Sequence, residues 1–120
     1  FLLAVKLCLI KDQTDKSQVF DEIDRGVGGA TATAIGRRLL SLSRRDQILV
    51  VTHSPQVASF SDNHIRVEKI SKKEETYTKV FTLNKEEIIH EIARMLSGDL
   101  ISEEAEAAAR SLVAASKNVN

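Results

Sequence analysis

Apolar positions fall in blocks whose period changes along the chain, and those changes mark the elements. Residues 1–10 (FLLAVKLCLI) are almost continuously apolar, a run short enough to fit a buried helix or a buried strand by periodicity alone. A polar turn over residues 11–16 follows, then a short β-prone run, residues 17–20 (SQVF), ending on Asp21 and Glu22. Residues 25–30 (RGVGGA) hold three glycines in a loop. Beyond them Ala32, Ile35, Leu39 and Leu42 recur at three- and four-residue spacing, the stripe of an amphipathic helix with Thr31 as its expected N-cap. Residues 48–51 (ILVV) are wholly apolar and predict a parallel strand covered on both faces, ending at Thr52, His53, Ser54 and Pro55. Two strands separated by a helix make a βαβ unit, whose right-handed crossover brings both C-terminal strand ends to one sheet edge.

The second half reads as a short helix, a hairpin and two longer helices. Pro55 suits the first position of a helix over residues 56–60. Residues 64–70 and 76–83 alternate β-prone and polar positions around a charged turn at residues 71–75, which predicts a hairpin with Lys72 and Lys73 at a solvated tip. Asn84 with Glu87 three residues on forms a capping-box pattern; Ile88, Ile92 and Leu96 give the apolar stripe, and Gly98 stops the helix. Ser102 caps a last helix over residues 103–117, alanine-rich with Leu112 and Val113 as its large apolar residues, which predicts light packing. No internal repeat or linker divides the chain, so residues 1–120 are expected to form one α/β domain.

Composition removes several classes of function. Seventeen Lys and Arg balance seventeen Asp and Glu, for a formal charge of zero, so there is no basic field to hold nucleic acid by phosphate neutralisation alone. The single cysteine, Cys8, admits no intramolecular disulfide and fits a reducing compartment. The run at residues 1–10 is about half a membrane span and lacks the flanks of a targeting signal. A cytoplasmic protein without membrane contact is expected.

The chemistry concentrates where the two strands end. Asp21 and Glu22 close the first strand and His53 follows the second, so parallel pairing places all three on the edge where open α/β sheets bind ligands. A carboxylate there can hold a hard cation while another polarises a water. Rival chemistries fit less well. Ser54 adjoins His53 but stands in no G-x-S-x-G turn, and His53, His64 and His90 lack metal-ligand spacing, leaving His64 and His90 as surface or boundary residues. With no Gly-Lys-Ser/Thr in the chain, Gly26, Gly28 and Gly29 do not form a P-loop. They read as a flexible loop feeding the helix, or as backbone that a partner approaches closely.

Together these segments resemble the ATPase heads of the ATP-binding-cassette type. Residues 18–22 resemble a Walker B strand, residues 24–30 (DRGVGGA) the loop after it, and residues 51–58 (VTHSPQVA) the switch-histidine segment. The pairing of D-E-[IV]-D-x-G-[IV]-x-G with T-H-x-P-Q-V-A, followed by A-R-M-L-S-G in the helix after the hairpin, is most similar to the RecN family of bacterial DNA repair proteins, relatives of the SMC proteins.

The resemblance implies the C-terminal half of a P-loop NTPase head, with residues 1–10 as the helix after the signature motif. It implies ATP and Mg²⁺ as ligands: Asp21 helps to hold the metal, Glu22 activates the attacking water, and His53 contacts the γ-phosphate. Asp24, Gly28 and Gly29 would lie on the loop facing a second head in an ATP-dependent homodimer. The aspartate that the wider cassette pattern carries six residues after the glutamate is here Gly28, a trait of the RecN-like pattern. Implied partners are an N-terminal head lobe bearing the P-loop, the second head, and DNA reached through the full-length protein in a bacterial, nucleoid-associated setting. By itself the chain is expected to be inactive. The alternatives are a non-enzymatic assembly module and a nucleotide-binding transporter subunit.

Overall fold

The computed structural model describes residues 17–118; the apolar run at residues 1–10 and Cys8 lie outside them. The described chain is α/β. Strand β1 (Ser17–Asp21) leads through helix α1 (Gly29–Leu42) to strand β2 (Gln47–Val51), and the two strands pair in parallel from Ser17↔Gln47 to Asp21↔Val51. After a single turn of helix, α2 (Pro55–Ala58), strands β3 (Ile65–Lys72) and β4 (Glu75–Thr82) form a separate antiparallel hairpin. Helices α3 (Lys85–Ser97) and α4 (Glu103–Lys117) complete the order. No described helix is long and apolar enough to cross a membrane.

Two apolar clusters hold these elements, and α2 belongs to both. Val57 joins Ala32 and Leu39 of α1 with Ile48 and Val50 of β2, while its neighbour Ala58 joins Ile92 and Ala93 of α3 with Ala105 and Ala109 of α4. Ile48 and Val50 are almost wholly withdrawn from water, which stabilises each by about 1.5–3 kcal/mol relative to exposure. Four residues of helix thus rivet the strand–helix unit to the helix pair.

Several elements differ in detail from the sequence pattern. Helix α1 begins at Gly29 with Gly28 as N-cap and no side-chain cap, so Thr31 lies inside the helix rather than capping it. The parallel pair is not covered on both faces by the described residues: Ile48 and Val50 are buried, but Val19 of β1 is 67% exposed and the alternate residues of β2 are half-buried. An all-apolar run is compatible with either arrangement, since pairing alone does not determine what covers a sheet. The hairpin turn is tighter than residues 71–75, with Lys72 already paired to Glu75 and Lys73 in the left-handed region at φ +50°. Asn84 and Glu87 form the expected capping box, but Leu96 is exposed, and Ile89, Ala93 and Met95 share the buried side with Ile88 and Ile92. Helix α4 docks closely rather than lightly. The small Ala105 and Ala109 let its backbone approach α3, and the Ser116 hydroxyl donates to the Ser59 carbonyl at 2.6 Å.

Close approach also explains Gly36. A Cβ there would stand 2.5 and 2.9 Å from Cδ2 and Cε2 of the Phe60 ring and 3.3 Å from the Val57 Cα. Gly36→Ala is therefore expected to lower stability despite a helix-propensity gain of about 1 kcal/mol, because overpacking costs about 1–3 kcal/mol. The check is urea unfolding of both proteins; an alanine variant with a higher midpoint would show that the ring yields freely.

Polar groups are buried where the hairpin meets α3. Glu91 is 1% exposed; its Oε1 accepts from Arg94 Nη2 at 2.7 Å and Nε at 3.1 Å, and its Oε2 lies 3.5 Å from Arg66 Nη1. Arg66 in turn lies over the Phe81 ring, 4.8 Å from its centroid. At the hairpin's base the Leu83 N–H donates to the His64 carbonyl at 3.0 Å, and the imidazole above it is fully buried with neither ring nitrogen hydrogen-bonded. His64 is thus a core residue, not the boundary residue its polar neighbours suggest. Burial pushes its pKa down to about 4 against the smaller opposing pull of Glu91.

The unfolded chain consequently takes up this proton at higher pH than the folded one. The stability that His64 contributes is complete above pH ~6.5 and is lost as the pH falls toward 4. The difference amounts to about 3 kcal/mol. Replacement by an apolar residue of similar size, His64→Leu, should flatten this part of the profile. Denaturant titrations between pH 7 and 4 test it: equal slopes for wild type and His64→Leu would mean that the imidazole does not resist protonation.

Candidate functional site

The site grows from the last rung of the parallel ladder. Strand β1 ends at Asp21, but Glu22 adds one more backbone hydrogen bond, its N–H donating to the Val51 carbonyl at 2.8 Å. It does so at φ +50°, a left-handed conformation costly for a residue with a Cβ, and this reverses the chain. Two overlapping turns follow. The Arg25 N–H donates to the Glu22 carbonyl at 3.1 Å and the Val27 N–H to the Asp24 carbonyl at 3.4 Å, with Gly26 at φ +79° between them, where a side chain would be strained.

On the neighbouring strand, Thr52 follows β2 and is buried. Its hydroxyl donates to the Asp24 carboxylate and accepts the Ser54 N–H at 2.9 Å. Ser54 then caps α2, its Oγ accepting the Val57 N–H at 3.4 Å. Thr52 thereby ties the loop after β1 to the turn after β2, and His53, between these two fixed residues, points outward. Its Nε2 lies 3.1 Å from Glu22 Oε1, while Glu22 Oε2 lies 3.8 Å from Arg25 Nη1. Glu22, Asp24, Arg25, Gly26, His53 and Ser54 line an open cleft of about 480 Å³.

The expected residues are only partly assembled. Glu22 and His53 meet directly. Asp24 borders the cleft but is 8% exposed, and its carboxylate accepts from Thr52, so it anchors the loop rather than presenting its charge outward. Asp21 is exposed at the strand end, on the face it shares with Ser17 and Val19, and is not part of the cleft lining. Gly28 and Gly29 lie at the exposed start of α1, where a Cβ on Gly28 would meet nothing within 4 Å. Sequence reasoning passed over Thr52 and Arg25. Thr52 acts through a partner 28 residues away, and Arg25 carries no pattern beyond being a charge among glycines.

Chemically, the cleft sets a carboxylate between an imidazole and a guanidinium. The carboxylate can accept from a water and the two nitrogen groups can face an anion. Among the described residues no group of three or more His, Cys, Asp or Glu is placed to hold a metal ion alone. Magnesium commonly takes one or two carboxylates and completes its shell with substrate phosphates and water, and Glu22 and the exposed Asp21 are the carboxylates at this edge that could serve it.

No protein-family model matches the chain. Over nearly its whole length it is similar to proteins named DNA repair protein RecN: 44% identical over 113 residues, 94% of the chain, to that of Rickettsia felis; 44% over 112 residues, 93% of the chain, to that of Streptomyces coelicolor; and 43% over 111 residues, 92% of the chain, to that of Xylella fastidiosa strain 9a5c. The chain spans about a fifth of the length of these relatives, 20–21%, in their C-terminal region.

The Thr52 tie is testable by itself. Thr52→Val removes the hydroxyl donor and leaves the Asp24 carboxylate buried without it, which should lower stability by about 1–3 kcal/mol. Amide exchange over residues 24–28 should accelerate, and Thr52→Ser should restore both. Unchanged exchange in the valine variant would show that the turns hold the loop without the tie.

Proposed function

We propose that this chain is the Walker B and switch-histidine part of an ATP-hydrolysing head in an SMC-like DNA repair protein of the RecN type. The observation that carries the reading is the Glu22–His53 contact, 3.1 Å across the ends of two parallel strands. A surface carboxylate has no need of left-handed backbone, yet Glu22 adopts it and so faces an imidazole from the neighbouring strand. The RecN name of the similar proteins supports the assignment to DNA repair.

In this reading Glu22 is the general base. Its Oε2 is the oxygen that accepts from a water aimed at the terminal phosphate of ATP, while His53, whose Nε2 lies 3.1 Å from Oε1, holds the carboxylate's orientation and, with both ring nitrogens protonated, offers its other N–H to the same phosphate. Phosphoryl transfer needs little else from these residues, because its barrier falls mainly through positioning and neutralisation of charge. Bound magnesium would supply that neutralisation, with the exposed Asp21, at the strand end beside the cleft, as the carboxylate that would hold it. The P-loop belongs to another part of the full-length protein, and a second head facing the start of α1 closes the site. DNA is engaged elsewhere in that protein, since the formal charge of this chain is zero.

Mutagenesis in the full-length protein tests the assignment. Glu22→Gln keeps the shape but removes the basicity, and steady-state turnover should fall about a hundredfold while nucleotide binding survives. Asp21→Asn should weaken magnesium-dependent binding, and His53→Ala should reduce turnover with a smaller loss of binding. An ATPase rate for Glu22→Gln within about twofold of wild type would overturn the role of Glu22. The 120-residue chain alone, which holds no Gly-Lys-Ser/Thr, should show no turnover and no micromolar affinity for Mg-ATP by calorimetry.

A further inference from the structure

Arg25 differs from the other cleft residues in how it is held. Two residues that precede it along the loop are fixed: Glu22 by its hydrogen bond to the Val51 carbonyl, and Asp24 by the Thr52 hydroxyl. The Arg25 N–H itself closes the turn on the Glu22 carbonyl at 3.1 Å. The backbone is thus pinned to the end of β2, while the side chain is 85% exposed, borders the cleft and, among the described residues, pairs with the Glu22 carboxylate at 3.8 Å. An exposed i,i+3 pair at that distance is weak and easily exchanged. A guanidinium on an anchored stem beside a cleft wide enough to admit a phosphate is a mobile fork on a fixed base.

We propose that Arg25 is a ligand of the terminal phosphate of the nucleotide, which it reaches by exchanging the Glu22 carboxylate for phosphate oxygens. The inference rests on the ATPase reading and extends it to a residue for which spacing gave no role. A phosphate carries more charge than a carboxylate and matches the planar fork of arginine in two parallel hydrogen bonds. The exchange therefore runs toward phosphate, and it has a second effect. Once the guanidinium leaves, Glu22 Oε2 is released to accept from water, so the arrival of the terminal phosphate and the readiness of the base become one event. His53 keeps Oε1 throughout and preserves the orientation of the carboxylate.

The terminal phosphate provides the discriminating probe, because ADP lacks it. In the full-length protein, Arg25→Ala should weaken Mg-ATP binding in equilibrium titrations about tenfold, with Mg-ADP binding within twofold of wild type. KM for ATP should rise in step, and the loss should shrink at higher ionic strength as an exposed charge is screened. Arg25→Lys should restore part of the affinity by keeping the charge without the fork. The melting temperature should stay within about a degree of wild type in either variant, since the side chain is 85% exposed and its one ion pair is a weak surface contact. Equal ATP affinity in Arg25→Ala and wild type, or an equal loss for ATP and ADP, would overturn the role of Arg25. Glu22→Gln measured alongside separates the two levels. If it abolishes turnover while Arg25→Ala is silent, only Arg25 is misassigned; if the wild-type protein neither binds nor hydrolyses Mg-ATP, the ATPase reading falls and Arg25 with it.

Discussion

The parallel register of β1 on β2 is the constraint from which the site follows. Ser17 faces Gln47 and Asp21 faces Val51, so both strands run out at the same level, and the extra hydrogen bond from the Glu22 N–H to the Val51 carbonyl leaves Glu22 level with the turn that carries His53. A slip of one residue would exchange the two faces of β1 and separate the carboxylate from the imidazole. Side-chain pairs flank the ladder at its start, where the Ser17 hydroxyl donates to Gln47 Oε1 at 2.7 Å and Gln18 Nε2 to Asp46 Oδ2 at 2.7 Å. The buried Ile48 and Val50 fix which face of β2 meets the helices.

What the ladder positions, the Asp24–Thr52–Ser54 chain of hydrogen bonds makes rigid. It closes the loop after β1 against the turn after β2 and passes directly into the cap of α2. Through Val57 and Ala58 that short helix reaches both apolar clusters. Packing of α1 against α2 and Phe60, which brings the ring and the Val57 backbone close to Gly36, is therefore mechanically connected to the cleft. A change in how α2 sits would move Ser54, and with it the residue before it, His53. The cleft edge and the helical body are one unit through four residues of helix.

The hairpin end of the molecule depends on buried charge. Glu91 lies between Arg66 of the hairpin and Arg94 of its own helix, and the arginines satisfy one carboxylate oxygen far better than the other. Buried ion pairs of this kind contribute little net stability beside an apolar alternative, but breaking one strands a charge. The buried, unbonded His64, whose pKa burial lowers to about 4, makes the hairpin's attachment sensitive to acid.

The sequence by itself determined most of the described elements and that Glu22 and His53 stand at the same sheet edge. Alternation gave the hairpin, the Asn84–Glu87 spacing gave the capped start of α3, and the positions of Glu22 and His53 after two apolar runs gave the cleft edge, because period, caps and strand ends are local properties of the chain. The start of α1, the depth of His64 and Glu91, the close docking of the alanine-rich α4, the close approach of Phe60 to Gly36, and the inward turn of Asp24 toward Thr52 were decided by the tertiary structure. Each depends on a partner far along the chain, 28 residues away for Asp24 and Thr52 and 57 for Ser116 and Ser59. Burial and hydrogen-bond satisfaction are properties of what comes together in space, so no local pattern encodes them.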